Sequence, residues 1–183
     1  MKIFIDFDGV IFNTKLFKKQ LFKIFNDKSQ YKKFKKLGIP YSPLTHLKFL
    51  SKKRRVNYKK ILATLNKLIR DSKKYVFSDA KKFLNHFPKS DLYLLSYGDL
   101  SFQRQKIKAA GVSKYFRRIV ITDKNKAEII RKLSKKDKFK KGEKMIFIDD
   151  KRKHVNEIKA MKDKNIIIFP NLKKSLRWFN IKL

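Results

Sequence analysis

The chain has 183 residues, of which 42% are hydrophobic, so it is long enough for one domain or for a core with a small insert. Cysteine is absent, which excludes disulfides and thiolate metal sites and leaves oxygen as the obvious metal ligand. No apolar run approaches the roughly 18 to 20 residues of a membrane-spanning helix, and the N-terminus has a strand pattern instead of a signal peptide. We therefore expect a cytoplasmic protein without a membrane segment.

The net charge is +35, from 50 basic residues against 15 acidic ones. A surface this basic can bind nucleic acid or attract small anionic substrates. The lysines are nevertheless scattered through ordinary amphipathic patterns, together with abundant Ile, Asn and Phe, which is typical of a compositional bias. We favour the compositional interpretation, and nucleic-acid binding stays open as the alternative.

Five short apolar segments have the length and composition of buried parallel strands. They cover residues 3–5, 92–95, 119–121, 145–148 and 166–169. Helical patterns lie between the last four of them, at residues 101–110, 126–133 and 152–161. Strands that alternate with helices predict an α/β fold, a Rossmann-like doubly wound parallel sheet with five core strands.

Residues 14–77 do not follow this alternation, because they carry helical spacing throughout. Ser42 followed by Pro43 is a typical helix start. This segment holds 20 basic and 2 acidic residues, a net charge of +18, whereas the other 119 residues carry +17. We predict that residues 14–77 form a small all-helical insert, called the insert below, in a core made of residues 1–13 and 78–183.

Acidic pairs follow two of the predicted strands. Asp6 and Asp8 follow the first strand, and Asp149 and Asp150 follow the strand at residues 145–148. Parallel strands end at the same edge of a sheet, so these carboxylates are expected to converge. Turn formation or helix capping would explain either pair alone, but both pairs together favour an oxygen-only site for Mg²⁺.

The acidic pairs lie in segments that resemble the haloacid dehalogenase (HAD) superfamily. Residues 6–14, DFDGVIFNT, resemble its first motif, and residues 147–150, FIDD, resemble its fourth. Residues 94–96, LLS, match the second motif, which is a strand ending in Ser or Thr. The resemblance covers the core of about 120 residues, whereas the insert is similar to the helical cap of the family only in position and helical character.

The resemblance implies a Mg²⁺-dependent phosphatase. In that mechanism Asp6 attacks phosphorus to form an aspartyl phosphate, and Asp8 protonates the leaving oxygen and then activates water. Mg²⁺ would be held by Asp6, Asp149 and Asp150 and by the backbone carbonyl of Asp8. An acid at position 8 favours phosphatase or phosphotransferase chemistry, because the dehalogenases of the family lack it.

The phosphate itself is expected to meet the hydroxyl of Ser96 and the backbone amides of Tyr97 and Gly98. The third motif of the family is a lysine at a helix start. Lys126, which follows the capping residue Asn125, is favoured over Lys124, although neither is followed by the proline common in this motif.

The leading prediction is therefore a phosphohydrolase for a small phosphorylated metabolite or a nucleotide, with no membrane partner. A phosphotransferase or phosphomutase would use the same aspartyl phosphate. An alternative of another class is a nucleic-acid-binding protein that keeps an idle HAD-like core.

Overall fold

The computed structural model describes residues 1–53 and 55–180. At its centre lies a five-stranded sheet made of β1 (Lys2–Ile5), β2 (Leu92–Tyr97), β3 (Arg118–Thr122), β4 (Met145–Ile148) and β5 (Ile166–Phe169). The strand order is β3-β2-β1-β4-β5, and all neighbouring strands are parallel. The predicted fold class is confirmed, and each of the five predicted segments lies in a strand.

The central strand β1 is buried on both faces of the sheet. Ile3, Phe4 and Ile5 are completely buried. Successive side chains of a strand point to opposite faces, so Ile3 and Ile5 belong to one buried cluster and Phe4 to another. This burial explains why β1 reads as a continuous apolar run without alternation.

Four helices follow β1 along the chain: α1 (Thr14–Phe25), α2 (Ser29–Lys36), α3 (Pro43–Lys53) and α4 (Tyr58–Arg70). α1 buries Phe17, Leu21 and Phe25, which recur every four residues and so form one apolar stripe. This stripe joins the same buried cluster as Ile3 and Ile5. The insert therefore shares a hydrophobic core with one face of the sheet, and the boundaries of a separate cap stay a prediction.

The other helices flank the sheet: α5 (Ser78–His86), α6 (Leu100–Ala109), α7 (Lys126–Lys136), α8 (Arg152–Lys159) and α9 (Leu172–Trp178). α6, α7 and α8 lie where the sequence predicts helices, each within a few residues. Within the described ranges, no helix is long and apolar enough to cross a membrane.

Candidate active site

The carboxyl ends of β1 and β4 lie side by side at the edge where the candidate residues were predicted to meet. Ile5 and Ile148 are register partners, and the N–H of Asp6 donates to the carbonyl of Ile148 at 2.9 Å. The residues that follow the two strands, Asp6 and Asp149, are almost fully buried, at 1% and 0% exposure. The connections diverge to opposite sides of the sheet here, which is where ligands bind in open α/β sheets.

Three carboxylates at this edge form a group that could hold a metal ion. Asp6, Asp149 and Asp150 each offer an oxygen within 4.8 Å of the others. An oxygen-only ligand set suits Mg²⁺. Gly9 allows the carboxylate of Asp150 to lie close to the backbone after β1. Its φ is +85°, and a side chain at this position would collide with that carboxylate.

Lys126 joins the two buried carboxylates. Its Nζ donates to Oδ1 of Asp6 at 2.7 Å and to Oδ2 of Asp149 at 2.6 Å, and its side chain is completely buried. Lys126 begins α7, where the side chain of Asn125 caps the helix by accepting from the N–H of Ala127 at 2.8 Å. Of the two lysines considered from the sequence, the structure brings Lys126 into the carboxylate cluster, whereas the neighbouring Lys124 is exposed.

One oxygen of Asp6 is left over in this cluster. Oδ2 of Asp6 is buried and has no hydrogen-bond partner among the described residues. Burial raises the pKa of Asp6 to about 6, although the charge of Lys126 counteracts this and the charge of Asp149 adds to it. A buried carboxylate oxygen without a partner is costly, so its position marks where a metal or a reacting group could be accommodated.

The side chain of Asp8 lies in a different environment, between the insert and α6. Its Oδ1 accepts from the hydroxyl of Thr14 at 2.7 Å and from Nζ of Lys106 at 2.8 Å. Its Oδ2 accepts from Nε2 of Gln103 at 2.5 Å and from the same lysine at 3.1 Å. Three donors from two helices therefore fix the orientation of this carboxylate.

These donors also decide the charge of Asp8. Burial alone would raise its pKa, but the charge of Lys106 and the hydrogen bonds from Gln103, Lys106 and Thr14 outweigh burial and hold the pKa well below its usual range. Lys106 is itself 3% exposed and is surrounded by the rings of Phe7, Phe12, Phe17 and Phe102 at 4.8 to 5.5 Å. Burial lowers the pKa of this lysine.

Sequence reasoning gave no role to Thr14, the last residue of the first motif, and did not find Gln103 or Lys106. Gln103 and Lys106 are 95 and 98 residues from Asp8 along the chain, and Lys106 is one of 50 basic residues. The available signal was local: Gln103 and Lys106 lie three apart, beside Ile107 on the buried face of α6. Polar side chains on an apolar helix face require partners in the interior.

Ser96 lies near the end of β2 with its hydroxyl buried. The residue is 0% exposed, and its Oγ has no hydrogen-bond partner within the described ranges. Such a hydroxyl can donate to a phosphate oxygen that reaches the sheet edge.

The turn after β2 differs in part from expectation. The N–H of Gly98 donates to the carbonyl of Thr122 at 3.1 Å, so this amide is already used inside the protein. Gly98 matters here for its lack of a side chain, because a Cβ would lie 2.7 Å from Gln103 and would displace it. The hydroxyl of Tyr97 donates to the carbonyl of Gly38 in the insert at 3.3 Å.

A cavity of about 480 Å³ opens between the insert and this sheet edge. Asp8, Gly9 and Asp150 line it from the core. Lys151 also lines it, and the charges of Asp6, Asp8, Asp149 and Asp150 raise the pKa of Lys151 although burial opposes them. The carboxylate cluster is therefore adjacent to a space of small-molecule size.

Comparison with known proteins identifies the fold. No protein-family model and no curated protein matches the chain. Solved structures do match: a magnesium-bound HAD-hydrolase, YfnB from Bacillus subtilis, is 14% identical and aligns over 98% of both chains with a TM-score of 0.60. The chain has the fold of the HAD-like hydrolases.

Two further HAD-like structures show how varied the chemistry on this fold is. A protein from Thermotoga maritima that is assigned as a beta-phosphoglucomutase is 15% identical, over 91% of this chain and 84% of its own, with a TM-score of 0.58. An L-2-haloacid dehalogenase from Xanthobacter autotrophicus is 9% identical, over 91% and 75%, with a TM-score of 0.61. The HAD-like fold alone therefore leaves the reaction to be argued from the site.

Proposed function

We propose that the chain is a Mg²⁺-dependent phosphohydrolase that acts on phosphate monoesters through an aspartyl phosphate on Asp6. The observation that carries this proposal is the buried Asp8, held by three donors two residues after Asp6. An alkoxide is a poor leaving group unless it receives a proton, whereas a halide leaves as a stable anion. A second carboxylate beside the nucleophile therefore serves phosphate esters and has no comparable use in dehalogenation.

In the first step, an oxygen of Asp6 attacks phosphorus and the bond from phosphorus to the ester oxygen breaks. The leaving oxygen takes a proton from Asp8. Because Asp8 is a carboxylate in the free protein, it must first receive that proton, and Nζ of Lys106 at 2.8 Å is a donor in hydrogen-bond contact.

In the second step, water attacks phosphorus and the bond between phosphorus and Asp6 breaks. The proton of the water passes to Asp8, which is again a carboxylate at this stage and is oriented by Thr14 and Gln103. Asp8 then returns this proton to the neutral amine of Lys106. The step frees Asp6 and releases inorganic phosphate, so Asp8 and Lys106 regain their starting charges and the two steps balance.

The surrounding residues would hold the phosphate and the metal. Lys126 lies between Asp6 and Asp149 and balances their charge, and the free hydroxyl of Ser96 can donate to a phosphate oxygen. Mg²⁺, held by Asp6, Asp149 and Asp150, would neutralise the repulsion between a carboxylate and an anionic phosphate. The oxygen-only donor set fits this ion, and Oδ2 of Asp6 is the oxygen left for it.

The test is the hydrolysis of a generic aryl phosphate by the purified protein with Mg²⁺ and with EDTA. We expect release of inorganic phosphate with Mg²⁺ only, and its loss in Asp6→Asn, whose amide is not a nucleophile. Asp71→Asn is a matched control, because Asp71 is a half-exposed acid of the insert paired with Lys74.

Two results would count against this function. Halide release from a 2-haloacid without phosphate release would indicate a dehalogenase. Transfer of the phosphoryl group to a sugar without release of inorganic phosphate would indicate a phosphotransferase or phosphomutase. A cytoplasmic location stays a prediction.

A further inference from the structure

The insert contributes an unusual wall to the cavity above the carboxylates. Six of its cavity-lining residues are apolar or aromatic: Phe17, Leu21, Tyr31, Ile39, Pro40 and Tyr41. Two more, Lys18 and Lys35, are cationic. Among the lining residues that the structure describes, the insert supplies no carboxylate and no side-chain amide. A polyhydroxylated sugar would find few acceptors on this wall beyond the hydroxyls of Thr14, Tyr31 and Tyr41, although its own hydroxyls need acceptors as well as donors.

The aromatic side chains come from both sides of the cavity. Tyr31 and Tyr41 pack edge to face, with ring centroids 5.2 Å apart. Tyr97 faces the cavity from the end of β2, and its hydroxyl bonds to the backbone of Gly38 at the contact between core and insert. Tyrosine rings in a small cavity offer flat surfaces on which the ring of any nucleobase can stack.

Cations remain available beside these rings. Of the five lysines that line the cavity, Lys106 is paired with Asp8. Lys18 lies with its Nζ 2.6 Å from the hydroxyl of Tyr31, and Nζ of Lys153 lies 5.2 Å from the ring centroid of Tyr97. The cavity therefore combines aromatic rings with lysines, and it has more lysines than one phosphate at Asp6 would need.

We propose, building on the phosphohydrolase function above, that the substrate is a nucleoside phosphate. The ester phosphate lies at Asp6, the base lies among Tyr31, Tyr41 and Tyr97, and Lys18 and Lys35 meet any further phosphate. The cavity of about 480 Å³ is within the usual size range for small-molecule sites. A free nucleotide and the terminal nucleotide of a strand share this chemistry, and the experiment separates them.

The first measurement compares substrates by kcat/KM in the presence of Mg²⁺. The panel contains nucleoside monophosphates as 5′ and 3′ esters, a dinucleotide with a terminal phosphate, a hexose phosphate, pyridoxal phosphate and an aryl phosphate. We expect a nucleotide to exceed the hexose phosphate and pyridoxal phosphate by about tenfold or more, as base stacking on aromatic side chains allows. A higher value for the mononucleotide identifies the free nucleotide, and a higher value for the dinucleotide identifies the strand end.

The second measurement tests the wall directly. Binding of the preferred nucleotide is measured by calorimetry on Asp6→Asn, which keeps the cavity but does not turn over. Tyr31→Leu in that background should weaken binding about tenfold, whereas Tyr31→Phe, which keeps the ring, should restore most of it. Lys35→Gln should weaken binding of the dinucleotide, which carries a second phosphate, and Lys36→Gln is the matched control, because Lys36 is exposed on the same helix and does not line the cavity.

The outcomes separate this proposal from the one on which it rests. Turnover of the aryl phosphate with a preference for hexose phosphate or pyridoxal phosphate would overturn the nucleotide proposal and leave the phosphohydrolase intact. Equal nucleotide binding by the parent background, Tyr31→Leu and Lys35→Gln would also overturn it. If no phosphate ester is hydrolysed but the nucleotide binds in the Tyr31-dependent way, the hydrolase function fails and the nucleotide site stands.

Discussion

Asp6 and Asp8 are two residues apart, yet their surroundings move their pKa values in opposite directions. Burial raises the pKa of Asp6 to about 6, whereas Lys106 and two neutral donors hold that of Asp8 far below its usual range. Pairs of carboxyl groups whose environments separate their pKa values commonly divide the acid, base and nucleophile roles between them. The contrast comes from their cationic partners. Asp6 shares Lys126 with Asp149, whereas Lys106 forms an ion pair with Asp8 alone among the described residues.

The raised pKa of Asp6 predicts how the metal-free protein responds to pH. The folded pKa of about 6 lies above the ordinary aspartate value of 3.8, so the contribution of Asp6 to stability is full below about pH 4 and is lost as pH rises through about 6. Asp6→Asn cannot ionise, so with EDTA it should be more stable than the parent near neutral pH. The advantage should shrink towards pH 4.

Urea denaturation at several pH values measures this difference in the free energy of unfolding. A difference that does not change between about pH 4 and pH 7.5 would contradict the raised pKa. Mg²⁺ should stabilise the parent at neutral pH, by about 2.7 kcal/mol at a hundred times its dissociation constant. It should stabilise Asp6→Asn less, because that variant has lost a charged ligand.

Lys106 is predicted to keep Asp8 ionised and oriented in the free protein and to supply the proton that Asp8 passes to the leaving oxygen. Lys106→Met preserves side-chain length but leaves a buried carboxylate without its cation, which typically costs about 3 to 5 kcal/mol of stability. It should also lower kcat and move the pH dependence assigned to Asp8 upward, since burial would then raise its pKa. Urea denaturation and the pH profile of kcat measure the two effects.

Lys108→Met is the control for this change, because Lys108 is exposed on the same helix. Combining Lys106→Met with Asp8→Asn closes a double-mutant cycle. If the two side chains interact as described, the double variant should lose less stability than the sum of the single losses. Simple additivity would show that Lys106 acts through packing alone.

At the scale of helices, the start of α7 carries both a cap and a candidate catalytic group. The side chain of Asn125 caps α7, and the next residue is Lys126, whose N–H donates to Glu157 at 3.0 Å. Asn125→Ala should cost about 1 kcal/mol as a lost N-cap and should also lower kcat/KM, because the backbone that aims Lys126 loses a constraint.

Asn57→Ala provides a matched comparison. Asn57 caps α4 in the insert in the same way, accepting from the N–H of Lys60 at 2.9 Å. The Asn57→Ala substitution should lower the free energy of unfolding by a similar amount. It should leave kcat for the aryl phosphate unchanged. If kcat falls equally in both variants, the decrease reflects lost stability, and the orientation of the Lys126 side chain does not depend on the cap at Asn125.

Elements and their order were largely predictable from the sequence. β1 and β4 are short apolar runs followed by acids. A strand buried on both faces of a parallel sheet is typically such a continuous apolar run, so both strands could be predicted. The donors of Asp8 were not predictable, because Gln103 and Lys106 reach it from a helix about a hundred residues away in the chain. The engaged amide of Gly98 was missed for a similar reason, since its acceptor, Thr122, comes from the neighbouring strand β3.

At the scale of the whole molecule, the charge is divided unevenly. The insert carries +18, and the remaining 119 residues carry +17. α2 by itself contributes four exposed lysines, at positions 32, 33, 35 and 36, and Lys35 also lines the cavity. The basic surface of the insert therefore continues to the opening above the carboxylates, where it can attract anionic ligands over a distance.

This distribution predicts the dependence of turnover on ionic strength. Raising salt from about 0.05 to about 0.5 M shortens the screening length severalfold, so kcat/KM for a substrate with several phosphates should fall more than for the aryl phosphate. kcat should change little, because the buried contacts of Asp6 and Lys126 are screened much less. Steady-state kinetics at a series of salt concentrations, held at constant free Mg²⁺, measure both quantities.

Equal fractional decreases for both substrates would show that the charge of the insert does not steer substrates. In that case, with no Mg²⁺-independent binding of nucleic acid to Asp6→Asn in filter-binding assays, the basic insert would reflect composition alone.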